Sequence, residues 1–209
     1  MRILDRVDLR VSKGETVAIV GTSGAGKSTL LGLLAGLDEP SSGKVWLAGQ
    51  ELTAMDEDGR AALRAERVGF VFQSFHLISS LTALENVMLP LELSGAESAH
   101  DAALTAIRTV GLEPRKGHYP HQLSGGEKQR VAIARAFVVQ PDVLFADEPT
   151  GNLDQRTGEN IVELLFRMNR ESGTTLVLVT HDLDLASRCN RILFMEAGRI
   201  ERESGPAEA

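Results

Sequence analysis

Cysteine is nearly missing from this chain: among 209 residues only Cys189 carries a thiol. That excludes an internal disulfide and fits a reducing compartment. The lone thiol reads as a small packed side chain late in a helix. Aromatic residues are scarce, at 4%, with one tryptophan, Trp46, and no internal repeat or low-complexity tract is evident. An excess of basic charge is also lacking. The net charge of −7 argues against non-specific nucleic-acid binding, which needs a clustered basic surface, and nucleic acid is not expected as a partner. Long apolar runs are missing too. Stretches such as 143–146 and 176–179 are far too short to span a bilayer, and the first ten residues alternate charged and apolar side chains with no apolar core of a secretory signal. Any work at a membrane is therefore expected to pass through a partner.

What is present suits one compact domain over 1–209, with 43% hydrophobic and 24% charged residues and enough chain to bury a core without staples. Short β-branched runs alternate with longer helical ones, the pattern of an α/β sheet covered by helices. Strands are expected at 16–20, 45–47, 68–72, 143–146 and 174–180, with a closing hairpin of 191–195 and 199–201 around Gly198. Helices are expected at 27–35, closed by Gly36, at 58–65 and at 155–169. Between them the character changes. Residues 84–93, 101–110 and 126–139 read as three helices with no strand among them, punctuated by Gly111, Pro120 and Pro141. The expected fold is thus a mostly parallel α/β core (1–73 and 140–209) with a small antiparallel part and an inserted helical subdomain at about 74–139.

The first chemical signal is Gly21-Thr22-Ser23-Gly24-Ala25-Gly26-Lys27-Ser28, a phosphate-binding loop in its required strand–loop–helix context. Glycines let successive backbone N–H groups curl round an anion at a helix N-terminus. Lys27 brings a point charge to the β- and γ-phosphates, and the Ser28 hydroxyl is a Mg²⁺ ligand; Thr29 follows them in the site. A nucleoside triphosphate with Mg²⁺ is the implied ligand. The second signal is Asp147-Glu148 after the apolar strand 143–146. Ligands of parallel sheets bind at strand C-termini, and neighbours on an extended chain point in different directions. Asp147 is placed for the metal; Glu148 is free to act as general base on an attacking water. An acid poised there marks a hydrolase more than a kinase.

The third signal is Leu123-Ser124-Gly125-Gly126-Glu127-Lys128-Gln129-Arg130. Ser124 and Glu127 have capping-box spacing, and Gly125 and Gly126 permit close approach to an exposed helix start. This is a second anion-binding N-terminus without a lysine of its own.

With that string the chain resembles the ATP-binding-cassette (ABC) family over nearly its whole length. The P-loop NTPase fold, with its RecA-like sheet, is what the resemblance implies. It implies that Gln73 is the glutamine that contacts Mg²⁺ or water and senses the γ-phosphate, that Asn152-Leu153-Asp154 is the D-loop, and that His181 contacts the γ-phosphate and holds the water and Glu148 in place. It also implies a head-to-tail pair, the 124–127 helix start of one copy closing over ATP held by Lys27 of the other. Residues 70–77, 84–87 and 146–154 are similar to the lipoprotein-release and macrolide-export branch. From that branch follow a bacterial inner-membrane permease, a peripheral position on the cytoplasmic face, and a lipophilic or lipoprotein-like cargo. The segment after Gln73 would receive the permease through Phe75, Leu77 and Ile78. A permease that transmits a signal to periplasmic cell-wall enzymes is the alternative that the same motifs allow. DNA-repair ABC ATPases would need a long coiled-coil insert, and a translation-type tandem would need two cassettes. One departure stands out. No aromatic residue precedes the phosphate loop; Ile3, Leu4, Val7 and Leu9 occupy that stretch, which looks truncated, so ATP affinity is expected to be weakened by about 1–3 kcal/mol for one missing base stack. His118 and His121, flanking Pro120, have no cysteine or acidic company and are not expected to hold a metal.

Overall fold

A computed structural model describes residues 3–205. Its centre is a six-stranded sheet in the order β4-β5-β6-β1-β7-β8, built from β1 (Thr16–Val20), β4 (Val68–Phe72), β5 (Val143–Asp147), β6 (Thr175–Thr180), β7 (Arg191–Glu196) and β8 (Arg199–Ser204). All neighbours are parallel except the β7–β8 hairpin at one edge. The small antiparallel part is β2 (Trp46–Leu47) paired with β3 (Gln50–Glu51). The polar strand β3 lay outside the expectation, which stopped at Leu47. Ala48 and Gly49 both have positive φ (48° and 81°), the backbone of a two-residue hairpin loop that reverses the chain at once.

The central strands are buried on both faces because their side chains alternate between two apolar layers. Ala18, Val20, Leu144, Ala146, Leu176 and Leu178 enter one layer; Val17, Ile19, Phe145, Val177 and Val179 enter the other. A continuous apolar run, not an alternating one, is what a parallel strand covered on both sides requires. The second layer is covered by α1 (Lys27–Leu34) and α2 (Glu57–Arg67), through Leu30, Leu31 and Leu63. The first is covered by α3 (Ala83–Leu93), α4 (Ala99–Thr109), α5 (Gly125–Phe137), α6 (Gln155–Ser172) and the four-residue α7 (Leu183–Ala186).

Helices α3, α4 and α5 all fall in the chain between β4 and β5, two strands that lie side by side. The helix starts follow their caps: Asp56, Thr82, Ser124 and Asp154 each accept a backbone N–H of the first turn, satisfying one of the donors a helix start leaves over. Helix boundaries differ from the sequence reading by one to three residues. Cys189 sits in the turn after α7, not late in a helix, and is 3% exposed.

Strand register positions the chemistry. Phe72 pairs with Asp147, Asp147 with Val179, and Val20 with Thr180. The residues that follow these strand ends, Gly21, Gln73, Glu148 and His181, therefore emerge along one edge of the sheet, where open α/β sheets bind their ligands.

Candidate functional site

Past β1 the backbone turns sharply into α1. Gly24 and Gly26 have φ of 81° and 97°, values side chains disfavour. At Gly21 a Cβ would lie 2.2 Å from the Met195 carbonyl oxygen of β7, so only glycine lets the loop start beside that strand. Lys27 Nζ donates to the carbonyl oxygens of Gly21 (2.9 Å) and Thr22 (3.0 Å), which holds the ammonium inside the loop it closes. Gly21, Thr22, Ser23, Gly24, Gly26, Lys27, Ser28 and Thr29 line one cleft of about 610 Å³ together with Gln73, Asp147, Glu148 and His181. Ala25 is the loop member that does not line it. It is buried in the core, and its carbonyl accepts from Gly198 N–H at 3.0 Å, anchoring the loop to the β7–β8 hairpin.

Ser28 Oγ donates to Asp147 Oδ2 at 3.3 Å. Burial raises the Asp147 carboxyl above its ordinary range and the nearby Glu148 adds to this, while the Ser28 hydrogen bond and the Lys27 charge oppose it. A half-buried carboxylate with incomplete compensation, beside a hydroxyl and a phosphate loop, is an all-oxygen donor set that fits a small hard cation such as Mg²⁺.

Glu148 leaves β5 with φ 45°, uncommon for a side-chain-bearing residue. Its N–H donates to Val179 O at 2.9 Å and its carbonyl accepts from Gly151 N–H at 3.0 Å, so both neighbouring segments hold the turn. The turn aims the carboxylate at His181, whose Nδ1 lies 2.8 Å from Glu148 Oε1. A carboxylate only accepts, so Nδ1 is the donor and Nε2 is left available. Thr180, fully buried, donates from Oγ1 to Glu148 Oε2 at 3.3 Å. Gln73 and Asn152 are also paired. Asn152 Nδ2 donates to Gln73 O (3.0 Å) and Gln73 Nε2 donates to Asn152 Oδ1 (3.3 Å). Thr180 is not singled out by the sequence, since threonine at a strand end is too common to draw notice, and Asn152 is named there only as a member of the D-loop.

The second anion-binding start lies outside this cleft. Ser124 and Glu127 complete a capping box at α5, Ser124 N–H donating to Glu127 Oε2 at 2.8 Å. That bond, helped by Arg115 and Arg130, holds the Glu127 carboxyl below its ordinary range against a burial effect of opposite sign. A Cβ on Gly125 would lie 3.1 Å from Leu153 Cδ2, and one on Gly126 would come within 2.5 Å of Thr157 Cγ2. The helix start thus packs on the turn leading into α6. Asp154 caps α6 through Thr157 N–H at 3.0 Å and is likewise outside the cleft. In the segment after Gln73, Leu77 packs against the core and Phe75 is half-buried, while Ile78 is exposed. His118 lies 3.1 Å from an Arg115 nitrogen, and His121 stacks on Tyr119. Ile3, half exposed, also lines the cleft.

Comparison with known proteins resolves what this arrangement belongs to. A family model described as ABC transporter matches residues 4–151. The chain belongs to the ABC transporter family. The Escherichia coli K12 protein called "Uncharacterized ABC transporter ATP-binding protein YbbA" is 59% identical over 206 residues, covering 98% of this chain and 90% of that one. The lipoprotein-releasing system ATP-binding protein LolD of Xanthomonas axonopodis pv. citri is 51% identical over 207 residues, covering 98% and 84%. Among solved structures, a dimeric post-hydrolysis state of the ATP-binding cassette MJ0796 bound to ADP and Pi superposes with a TM-score of 0.90 at 42% identity, covering 99% of this chain and 92% of that one. The cassette fold and the assignment as an ABC ATPase are thereby established, and the resemblance carried by residues 123–130 holds. Among the described residues of this ATPase no helix is long and apolar enough to cross a membrane.

Proposed function

We propose that this ABC ATPase works as a head-to-tail pair that drives an integral permease, with Mg²⁺ held by Ser28, Asp147 and Gln73 and with Glu148 as the base. The observation that carries the reading is a separation. The phosphate loop, Asp147, Glu148 and His181 share one cleft, whereas the capped start of α5 at Ser124–Glu127 and the Asp154 cap lie away from it. A helix start beside two glycines, set apart from the phosphate loop and its Lys27, is suited to an anion presented by a second copy. In such a pair Ser124, Gly125, Gly126 and Glu127 of one copy close over the phosphates bound by the other, with Asp154 at the seam.

Within the cleft each side chain then has a separate task. Backbone N–H groups of residues 21–28 and the Lys27 ammonium bind the phosphates and neutralise charge. A Mg²⁺ ion held by Ser28, Asp147 and Gln73 would offset negative charge on the phosphates. Glu148 accepts the proton of the attacking water, and His181, held to that carboxylate through Nδ1, contacts the γ-phosphate through Nε2 when that nitrogen also carries a proton.

The name of the LolD relative, a lipoprotein-releasing system ATP-binding protein, supports extraction or export of a lipophilic or lipoprotein-like cargo, and peripheral attachment at the cytoplasmic face of a bacterial inner membrane is part of the same proposal. A helical subdomain over about 74–139 is the unit that would meet the permease, through the exposed Ile78 and the partly buried Phe75 and Leu77 near it in the chain. Replacing Glu148 by Gln tests the mechanism. The amide keeps an oxygen for the His181 N–H but cannot take a proton, so phosphate release should fall about 10²–10⁴-fold. Added ATP should then trap a dimer in size-exclusion chromatography with light scattering. Continued turnover would remove Glu148 from the role of base, and a monomer with bound ATP would remove the paired site.

A further inference from the structure

We infer that Asn152 is a positioning residue that sets which end of the Gln73 side-chain amide faces the cleft. A primary amide carries an oxygen at one end and a nitrogen at the other, and only the oxygen can ligate a hard cation. Gln73 lines the cleft beside Asp147 and Ser28, but nothing in its own side chain decides between the two orientations. Asn152 decides it in two steps. Its side chain meets the Gln73 backbone carbonyl at 3.0 Å. A carbonyl accepts only, so the atom of Asn152 at that contact is Nδ2, and Oδ1 occupies the opposite position. That oxygen lies 3.3 Å from the Gln73 amide and can be met only by a donor, so Gln73 turns Nε2 toward Asn152. Oε1 is then the end left for the cleft.

The surrounding backbone is shaped for this contact. At Gly151 a Cβ would come within 2.7 Å of Gln73 Nε2, so a side chain there would press on the amide. Gly151 N–H is also tied to Glu148 O at 3.0 Å, which places Asn152 on the same short turn as Glu148 and so at a fixed distance from the acid end of the cleft. An aspartate at 152 would keep the shape and lose the logic, because it has no donor for the Gln73 carbonyl.

The inference rests on Gln73 being a metal ligand, and the test separates the two ideas. Dissociation constants of a fluorescent ATP analogue are measured with Mg²⁺ and with EDTA for the unaltered chain and for Asn152→Ala, Asn152→Asp, Gln73→Ala and the Asn152→Ala/Gln73→Ala pair. The quantity read is the gain in affinity that Mg²⁺ confers. Asn152→Ala and Asn152→Asp should each reduce that gain about 2- to 12-fold, the worth of one hydrogen bond, with affinity in EDTA unchanged. The double variant should match Gln73→Ala alone. If both Asn152 variants keep the full gain, lose affinity equally with and without Mg²⁺, or add their loss to that of Gln73→Ala, Asn152 does not act through the Gln73 amide. If Gln73→Ala itself keeps the full gain, Gln73 is not at the metal and the inference falls with that assignment.

Discussion

Arg135 on α5 offers the most severe test of how this cassette is held together. Its guanidinium reaches across the first core layer and donates to two successive carbonyls, Phe75 O at 3.0 Å and His76 O at 2.7 Å. Among the described residues no carboxylate pairs with it, and burial shifts the guanidinium downward. Both acceptor residues have left-handed backbones, with φ of 60° and 47°, a conformation costing about 1–2 kcal/mol per residue outside glycine. A cation paired only with carbonyls, on a strained turn, persists only if the bonds outweigh these costs. A hydrogen bond to a charged group is worth about 1.5–3 kcal/mol. The Phe75 bond is partly buried and should reach that range, whereas the exposed His76 carbonyl can turn to water. Arg135→Ala lets the turn relax and recover part of its strain, so the net loss should fall to about 1–2 kcal/mol. Arg135→Lys offers one point charge in place of a two-pronged fork and should recover about half. Urea unfolding should show a lowered midpoint with an unchanged slope, and amide exchange at Phe75, His76 and Leu77 should accelerate before the rest of the sheet. Nucleotide binding in EDTA should persist, because β1 and its loop carry it. An Arg135→Ala protein within 0.5 kcal/mol of the parent, or an Arg135→Lys protein as stable as the parent, would refute the reasoning.

Two further outcomes follow from close contacts and burial. Gly126→Ala places a methyl within 2.5 Å of Thr157 Cγ2 and should push the α5 start off the α6 turn. ATP-trapped dimer formation in a Glu148→Gln background should be lost while ATP binding remains, and Thr157→Ser, which deletes that methyl, should restore it; failure of the rescue would place the defect elsewhere. Cys189 is 3% exposed and its thiol is pushed up to about 12, chiefly by burial. At pH 8 its thiolate fraction is then about a thousandfold or more below that of an ordinary cysteine. A thiol reagent should therefore label it only after unfolding, and fast labelling of the folded protein would contradict the packing.

The parts legible in the sequence are those whose cause is local. Residues 16–20 and 143–146 read as strands because short apolar runs with a breaker close by suit a sheet covered on both faces, and Gly24 and Gly26 announce their own positive φ. Two Ala-Gly loops show where legibility stops. Ala197-Gly198 and Ala48-Gly49 have the same backbone, φ near 45° then 80°, yet only the first was read as a hairpin, because six-residue strands flank it and two-residue strands flank the other. Ala-Gly carries little of the turn signal that Asn-Gly would, so flanking length had to supply it.

The same limit governs the site. That Glu148 faces His181 across 33 residues reached the sequence reading through family resemblance, not through residue chemistry. The contacts that resemblance did not supply are those in which a side chain is spent on a distant carbonyl: Arg135 on Phe75 and His76, Gln129 on Pro149 at 2.7 Å, Asn152 on Gln73. A carbonyl has no residue identity, so no motif marks its partner. All three tie the segments after β4 and β5 to one another or to α5. The motif residues are therefore held at their working angles by a scaffold of backbone acceptors that the motifs themselves do not encode, and substitutions in that scaffold should alter metal and partner dependence before they alter nucleotide binding.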